Sequence, residues 1–488
     1  MRSFAVVVAL SLVGAAVAQT PPEGPEVQPK LALNFGTEAG EEALSSFARD
    51  KDGAFWVAGM SKSLVDKFTY DWFVARLSAD GKPQWMRVYG SKFEDSTVRH
   101  IDMAGEGIPR MLALCPDGSG AIVVGRSEAG PEGKSPHAAV VFKVSPDGAL
   151  VWSKAFRPGW ENKMIQSAGA TGVVVVGDRA YVVGVTSAES QAMLAVFDAG
   201  TGEMKSVQGF DMAPGSNDRF FALAADEQNK ALWVGGWSAK GNKAVVGKLT
   251  LEDKPTLTFM KRIPNGWAST VPDIALDADG NAYLASEVHG ATTWVEAWKI
   301  APDGAVVWRA KYDTGSRIDR QNTHAIAVHG DKVIILGRIS YSGTQTHSDT
   351  IQGDSLVLVL DRDGKKLFDM YHFTGTHKLL MSMERARGCA LDGDTFWVAG
   401  NIWSDGAQYA GQWRKPDDYK LPCAVALDTP AAEDAEVKLE DQSASAPRDP
   451  SWLEWTDTTD KLTVGSPSEM SKTQRSTQCW IFAFENPF

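Results

Sequence analysis

Carboxylates, histidines, arginines and tryptophans carry whatever chemistry this 488-residue chain performs, and few stand at a spacing that commits them to one reaction. No C-x-x-C or H-x-x-x-H pair supplies a zinc site. A nucleophilic hydrolase of the G-x-S-x-G type is excluded because that string is absent. Asp277, Asp279, Gly280 and Asn281 begin like a calcium loop, but the twelfth position, which needs a bidentate acid, holds Val288. A tight Asp-Gly turn explains the string better, since the Asp side chain accepts backbone N–H groups and Gly supplies a positive φ. Carboxylate pairs for glycosidic cleavage would come from loops far apart in sequence, with Glu94, Asp95, Asp218 and Asp273 as candidates. Nothing in the sequence selects among them, so no catalytic residue is assigned.

The elements that position these residues follow from internal repetition. One string recurs with its turn: SADGKPQW (78–85), SPDGALVW (145–152), APDGAVVW (301–308) and DRDGKKLF (361–368), with weaker copies at 197–204 and 251–258. A second recurs between them: DGAFWVAG (52–59), GSGAIVVG (118–125), DRAYVVG (178–184), KALWVGG (230–236), GNAYLAS (280–286), DKVIILG (331–337) and DTFWVAG (394–400). The last residues of these seven strings lie 50 to 66 positions apart. Each unit holds four short runs rich in Val, Leu, Ile and aromatics, punctuated by Gly and Asp, which reads as four strands and not as helix. Several runs are apolar on both faces, so both faces of each sheet must be covered. A ring of blades packed face to face does that.

The sequence therefore predicts an all-β, seven-bladed β-propeller of four-stranded antiparallel blades over residues 19–430. The last unit has a third run, CAVALDT (423–429), and no fourth. KLALNFG (30–36) resembles WMRVYG (85–90), so the N-terminal strand is expected to complete the last blade and close the ring.

This unit resembles the bacterial SBBP-type β-propeller repeat. It is also similar to the PQQ-like repeats of quinoprotein dehydrogenases and of an outer-membrane assembly scaffold. The resemblance implies the fold and little about function, because propellers host unrelated activities. FDAGTGEM (197–204) matches the core of a PQQ-type motif, but the Trp expected soon after is absent, and no cofactor is assigned. Sialidase-type Asp boxes also fail, because Gly81 of SADGKPQW comes one place early.

The first-to-second and third-to-fourth turns share one face and are short and repetitive. The other face carries the second-to-third loops and the links between blades, and these vary in length and chemistry. Function is expected there, on loops held by a rigid scaffold. Residues at the mouths of the innermost strands include Glu42, Arg110, Arg219, Asp273, His324 and Arg387. Ligand binding is assigned to Trp160, Trp267 and Trp413, as stacking platforms, with Arg219, Arg317, Arg385 and His324 holding carboxylate or sulfate groups.

The formal charge of −12 argues against nucleic acid as a partner. Residues 1–18, MRSFAVVVALSLVGAAVA, read as a signal peptide cleaved before Gln19, which places the mature protein in the periplasm or outside the cell. No later stretch is long and apolar enough to span a membrane. Residues 431–478 carry ten acids against five bases and read as an acidic polar linker ahead of an apolar terminal segment, 479–488. Cys479, at the end of that linker, is expected to form a disulfide with Cys423. The function expected is a secreted, non-enzymatic propeller binding a surface polymer or protein. A polysaccharide-directed propeller enzyme and an envelope assembly scaffold are the alternatives.

Overall fold

The computed structural model describes residues 26–37, 42–62, 70–90, 95–96, 110–127, 137–157, 168–185, 191–212, 217–263 (except 240 and 242), 271–289, 293–312, 319–341, 352–373 and 382–404. It also describes seven later strands between residues 412 and 485. Seven four-stranded antiparallel blades form a ring. Blade one is Glu42–Arg49, Phe55–Lys62, Tyr70–Leu77 and Pro83–Gly90, and its strands pair in that order from the channel outward. Blades two to six repeat the pattern, with innermost strands Leu112–Leu114, Gly169–Val176, Asp218–Asp226, Asp273–Leu276 and Asp319–His329. Blade seven begins with Ser382–Asp392 and Thr395–Ser404.

Blade seven ends differently from the sequence expectation. Its third strand is the C-terminal Ser476–Glu485, paired over ten residues with Thr395–Ser404. Its fourth strand is the N-terminal Leu31–Thr37, paired with Ser476–Glu485. The N-terminal strand thus closes the ring as expected, but CAVALDT is not the strand beside it. Cys423–Val425 instead forms a fifth strand on the outer edge of blade five. The tail is more apolar over CWIFAF than CAVALDT is, and only the tail suits a strand buried on both faces. Ile481, Phe482, Ala483 and Phe484 are all buried.

Between these points the chain runs backward around the outside of the ring. It adds Gln412–Arg414 to blade six, Cys423–Val425 to blade five, Glu433–Asp434 to blade four and Lys438–Asp441 to blade three. It then adds Glu454–Asp457 to blade one and Leu462–Gly465 to blade seven. At these strands the acidic stretch is not a free linker but a strap on the blade edges. Its charges have a register: Glu433 lies opposite Arg262, Asp434 opposite Lys261, Lys438 opposite Asp211 and Asp457 opposite Arg87. Opposite charges directly across a ladder favour pairing, and like charges disfavour it.

Both repeat strings have a physical reason. Trp85, Trp152 and Trp308 each donate from Nε1 to a carbonyl in the next blade's outer turn, Pro146 at 2.8 Å, Ala199 at 3.2 Å and Arg362 at 2.7 Å. The ring lies on that turn's glycine. A Cβ at Gly148 would stand 2.9 Å from Trp85. The residue before each aromatic is a bulge on the outer strand, which explains the exposure of Val151, Val307 and Leu367. In the second string, Gly59, Gly184 and Gly236 face a bulge on the innermost strand. There the carbonyl of Ala43, Gly169 or Arg219 stands about where a Cβ would be, 1.9 to 2.0 Å away. Blade five has Ser286 at this place, and its inner strand begins only at Asp273, with no bulge to accommodate.

A small-residue layer lets the seven inner strands approach the axis. At one shared register position they carry Ala48, Ala113, Val174, Ala224, Ala275, Ala327 and Ala390.

Candidate functional site: the long-loop mouth of the channel

The inner strands start at the long-loop face, so their first residues surround the channel mouth. Where an inner strand bulges, one residue stands outside the ladder there: Thr171, His324 and Arg387 are three of them. Arg110 precedes the short inner strand of blade two at the same register. These residues tie the ring together. Thr171 Oγ1 donates to Phe220 O of blade four at 2.7 Å, and Arg110 O accepts Val173 N of blade three at 2.9 Å.

Arg110 also crosses the channel. Its Nε donates to Asp273 Oδ1 of blade five at 2.5 Å, and its Nη2 donates to Ile274 O at 2.8 Å. Blades two and five are as far apart as a seven-membered ring allows. The carboxylate is 4% exposed and the arginine side chain 31%, so the acid is buried while the arginine side chain still meets solvent. Asp273 accepts two further bonds, from Ile274 N at 2.9 Å and from Ile326 N of blade six at 3.0 Å. Burial raises the Asp273 pKa above the ordinary carboxylate value, against the opposing pull of Arg110 and the two amides.

Two other carboxylates at the mouth are also committed. Buried Glu42 accepts the Ser61 hydroxyl at 3.2 Å, and buried Asp218 accepts Met212 N at 2.7 Å. Arg387 Nη1 lies 3.3 Å from His324 Nδ1, and both residues are buried. A guanidinium only donates, so Nδ1 is the acceptor and carries no proton. On the neighbouring stretch of blade seven, the thiol of half-buried Cys389 is pushed up to about 12, by burial first and then by the Asp273 charge. Among the described residues no group of three His, Cys, Asp or Glu is placed to hold a metal, and no helix is long and apolar enough to cross a membrane.

The proposed ligand residues are distributed unevenly. His324 sits at the mouth, buried against Arg387. Arg219 lies at the start of the inner strand of blade four, half-buried, with its guanidinium carbon 5.9 Å from the centroid of the Trp237 ring. Arg385 lies in the backbone of the inner strand of blade seven, two residues before the bulge. Trp413 is not in a loop at the mouth. Its backbone belongs to the strap strand on the outer edge of blade six, opposite His372. Trp160, Trp267 and Arg317 lie outside the described residues. The Cys423–Cys479 pairing does not form, because Cys479 is buried within blade seven and Cys423 lies on the edge of blade five. The sequence places Arg110 and Asp273 at the mouth but gives no sign of their partnership, which joins positions 163 residues apart.

No protein-family model matches this chain, and no curated protein matches it. Solved structures similar to it include the β-propeller domain of the Trilobed protease from Pyrococcus furiosus, at 9% identity and a TM-score of 0.38, covering 78% of this chain and 100% of that one. RRP9 WD40 repeats are similar at 10% identity and a TM-score of 0.42, covering 84% and 100%. Saccharomyces cerevisiae Sqt1 is similar at 8% identity and a TM-score of 0.42, covering 81% and 99%.

Proposed function

We propose that this chain is an exported, non-catalytic propeller that binds a surface polymer or a protein partner on its long-loop face. The observation that carries this reading is the state of the carboxylates at the channel mouth. Asp273, Asp218 and Glu42 are buried acceptors in bonds that hold strands and blades together. A general acid or base needs a carboxyl within reach of substrate and able to exchange its proton, and these three are occupied in structure. The same bonds fix the rim on which the variable loops stand, and a rigid rim with variable loops is a binding platform. Export is inferred from residues 1–18, which lie outside the described residues.

The test pairs a glycan-array and protein-capture screen of the mature chain with thermal melts. Replacing Trp160 and Trp267 by Ala should weaken binding at least about tenfold and leave the melting transition in place, the pattern that separates a binding role from a core-packing one. Unchanged binding in that variant, or a collapsed melt, overturns the assignment of the site. Cleavage before Gln19, read by mass spectrometry of the extracytoplasmic fraction, tests export.

A further inference from the structure

The two ends of the chain meet in blade seven in a fixed order of dependence. Leu31–Thr37 has two hydrogen-bonding edges, and both are taken by C-terminal residues. Leu31 to Phe35 pair with Cys479 to Ala483, and Asn34 to Thr37 pair with Leu462 to Gly465. Lys30 N continues the ladder, donating to Ala483 O at 2.7 Å. The N-terminal strand makes no backbone ladder with any blade strand between residues 42 and 404. Ser476–Glu485 is not dependent in the same way. Its inner edge pairs with Thr395–Ser404 over all ten residues, a ladder to which the N-terminal strand contributes no residue.

We infer that blade seven is a strand-acceptor slot filled in sequence: the C-terminal strand docks on Thr395–Ser404 first, and it then presents the edge that Leu31 to Phe35 join. The N-terminal strand of the blade must wait for the C-terminal one. Until residues 476–485 arrive, the ring has a two-stranded seventh blade, and both Thr395–Ser404 and Leu31–Thr37 expose unpaired edges. Side-chain contacts do not replace the missing ladder. Leu33 reaches the blade-one turn at Gly81, and Phe35 is buried in the cluster shared with blade one. A strand fixed by contacts on one face alone still leaves its N–H and C=O groups unpaired. Closure of the ring is therefore a completeness check on the chain, and loss of the last thirteen residues opens it from both sides. This inference is independent of what the long-loop face binds.

Native-state hydrogen exchange on the unmodified full-length protein tests the order, because it reports the opening of each segment separately. An opening of the C-terminal strand removes the ladder of Leu31 to Phe35 and leaves the N-terminal strand only its pairing of Asn34 to Thr37 with Leu462 to Gly465. The Leu31–Phe35 amides are therefore expected to be no better protected than those of residues 479–483. Greater protection at Leu31–Phe35 overturns the inference. Two full-length variants give the asymmetry. Ile481→Asp should raise exchange at Leu31–Phe35 by about tenfold or more. Leu33→Asp should raise it at Leu31–Phe35 while leaving the bonds between 476–485 and 395–404 within about twofold of the unmodified protein. Equal loss of both strands in Leu33→Asp overturns the order. If Ile481→Asp unfolds blades two to five as well, the ranking in the unmodified chain decides alone.

Discussion

Arg110 and Asp273 belong to blades two and five, and their side chains meet across the central channel at 2.5 Å. One contact therefore links two blades that are not neighbours in the ring. It also satisfies a free inner-edge carbonyl, that of Ile274. Replacing one member leaves a buried charge without its partner. Arg110→Met should destabilise the fold by roughly 3 kcal/mol at neutral pH, and Arg110→Met with Asp273→Leu by less than the single change. Burial already raises the Asp273 pKa, and removing Arg110 raises it further. In the variant the folded state binds a proton at Asp273 more readily than the unfolded state does. The deficit is thus full above the raised folded value of Asp273 and shrinks as pH falls through it toward the unfolded carboxyl value. Urea melts of both variants from pH 4 to pH 8 check this, and a deficit that grows on acidification contradicts it.

The glycine that ends each second-strand string can be exchanged only where the inner strand does not bulge. A Cβ at Gly184 would lie 2.0 Å from Gly169 O, a backbone atom that no rotamer change can move aside. Gly184→Ser should cost roughly 3 kcal/mol or more. The converse change in blade five, Ser286→Gly, should cost only about 1 kcal/mol, the ordinary penalty of glycine in a strand. Denaturant midpoints of the two proteins measure the contrast, and similar losses would show that the bulge is not the cause.

The short-turn face predicts a direction for acid sensitivity. Ser119, Ser145 and Thr201 hold Asp117, Asp147 and Asp198 below the ordinary carboxylate value, and Lys332 does the same for Asp331. Burial alone would raise Asp50 and Asp277, but bonds from Arg76, Trp56 and Ala54, and from Asn281 and Tyr283, outweigh it and lower both. At these groups the unfolded chain takes up protons first as pH drops. Their stabilisation is present above the unfolded carboxyl value of about 3.9 and is lost as pH falls through the depressed folded values. Stability should hold from pH 7 to about pH 5 and decline progressively below it. Circular-dichroism melts across that range follow the decline. A flat or rising midpoint down to pH 3 would remove the turn carboxylates from the account.

Different parts of the architecture left traces of different strength in the sequence. The seven blades were legible because much of their local chemistry recurs from blade to blade. Asp turns, the bulge-facing glycine and the Trp that lies on the next blade's turn are all visible without knowing a neighbour. The N-terminal strand was legible because Phe35 and Gly36 repeat Tyr89 and Gly90. The strap was not, because its pairings are two to four residues long, too short to show alternation, and its acids serve as register partners for Arg262, Lys261 and Arg87. Cys423–Val425 looked like a third strand since an edge strand and a short core strand share composition. Of the candidate site, the ring of mouth residues could be read from strand position. The bond joining Arg110 to Asp273 could not, because no local pattern records which inner strands face each other across a channel.

Cysteine chemistry gives the last prediction. Cys479 lies in the third strand of blade seven, with its Sγ 3.6 Å from Glu42 O, and burial together with the Glu42 charge holds its thiol well above the ordinary value. Burial likewise raises Cys115, and it raises Cys389 to about 12. The thiolate is the reactive species, so all three should resist alkylation in the folded protein. Iodoacetamide at pH 8, with mass spectrometry of the peptides, should label each of them at least about tenfold more slowly before unfolding in urea than after it. Rapid labelling of Cys479 in the native protein would mean that the C-terminal strand leaves its slot readily. A Cys423–Cys479 crosslink in non-reducing maps would contradict the placement of those two residues on different blades.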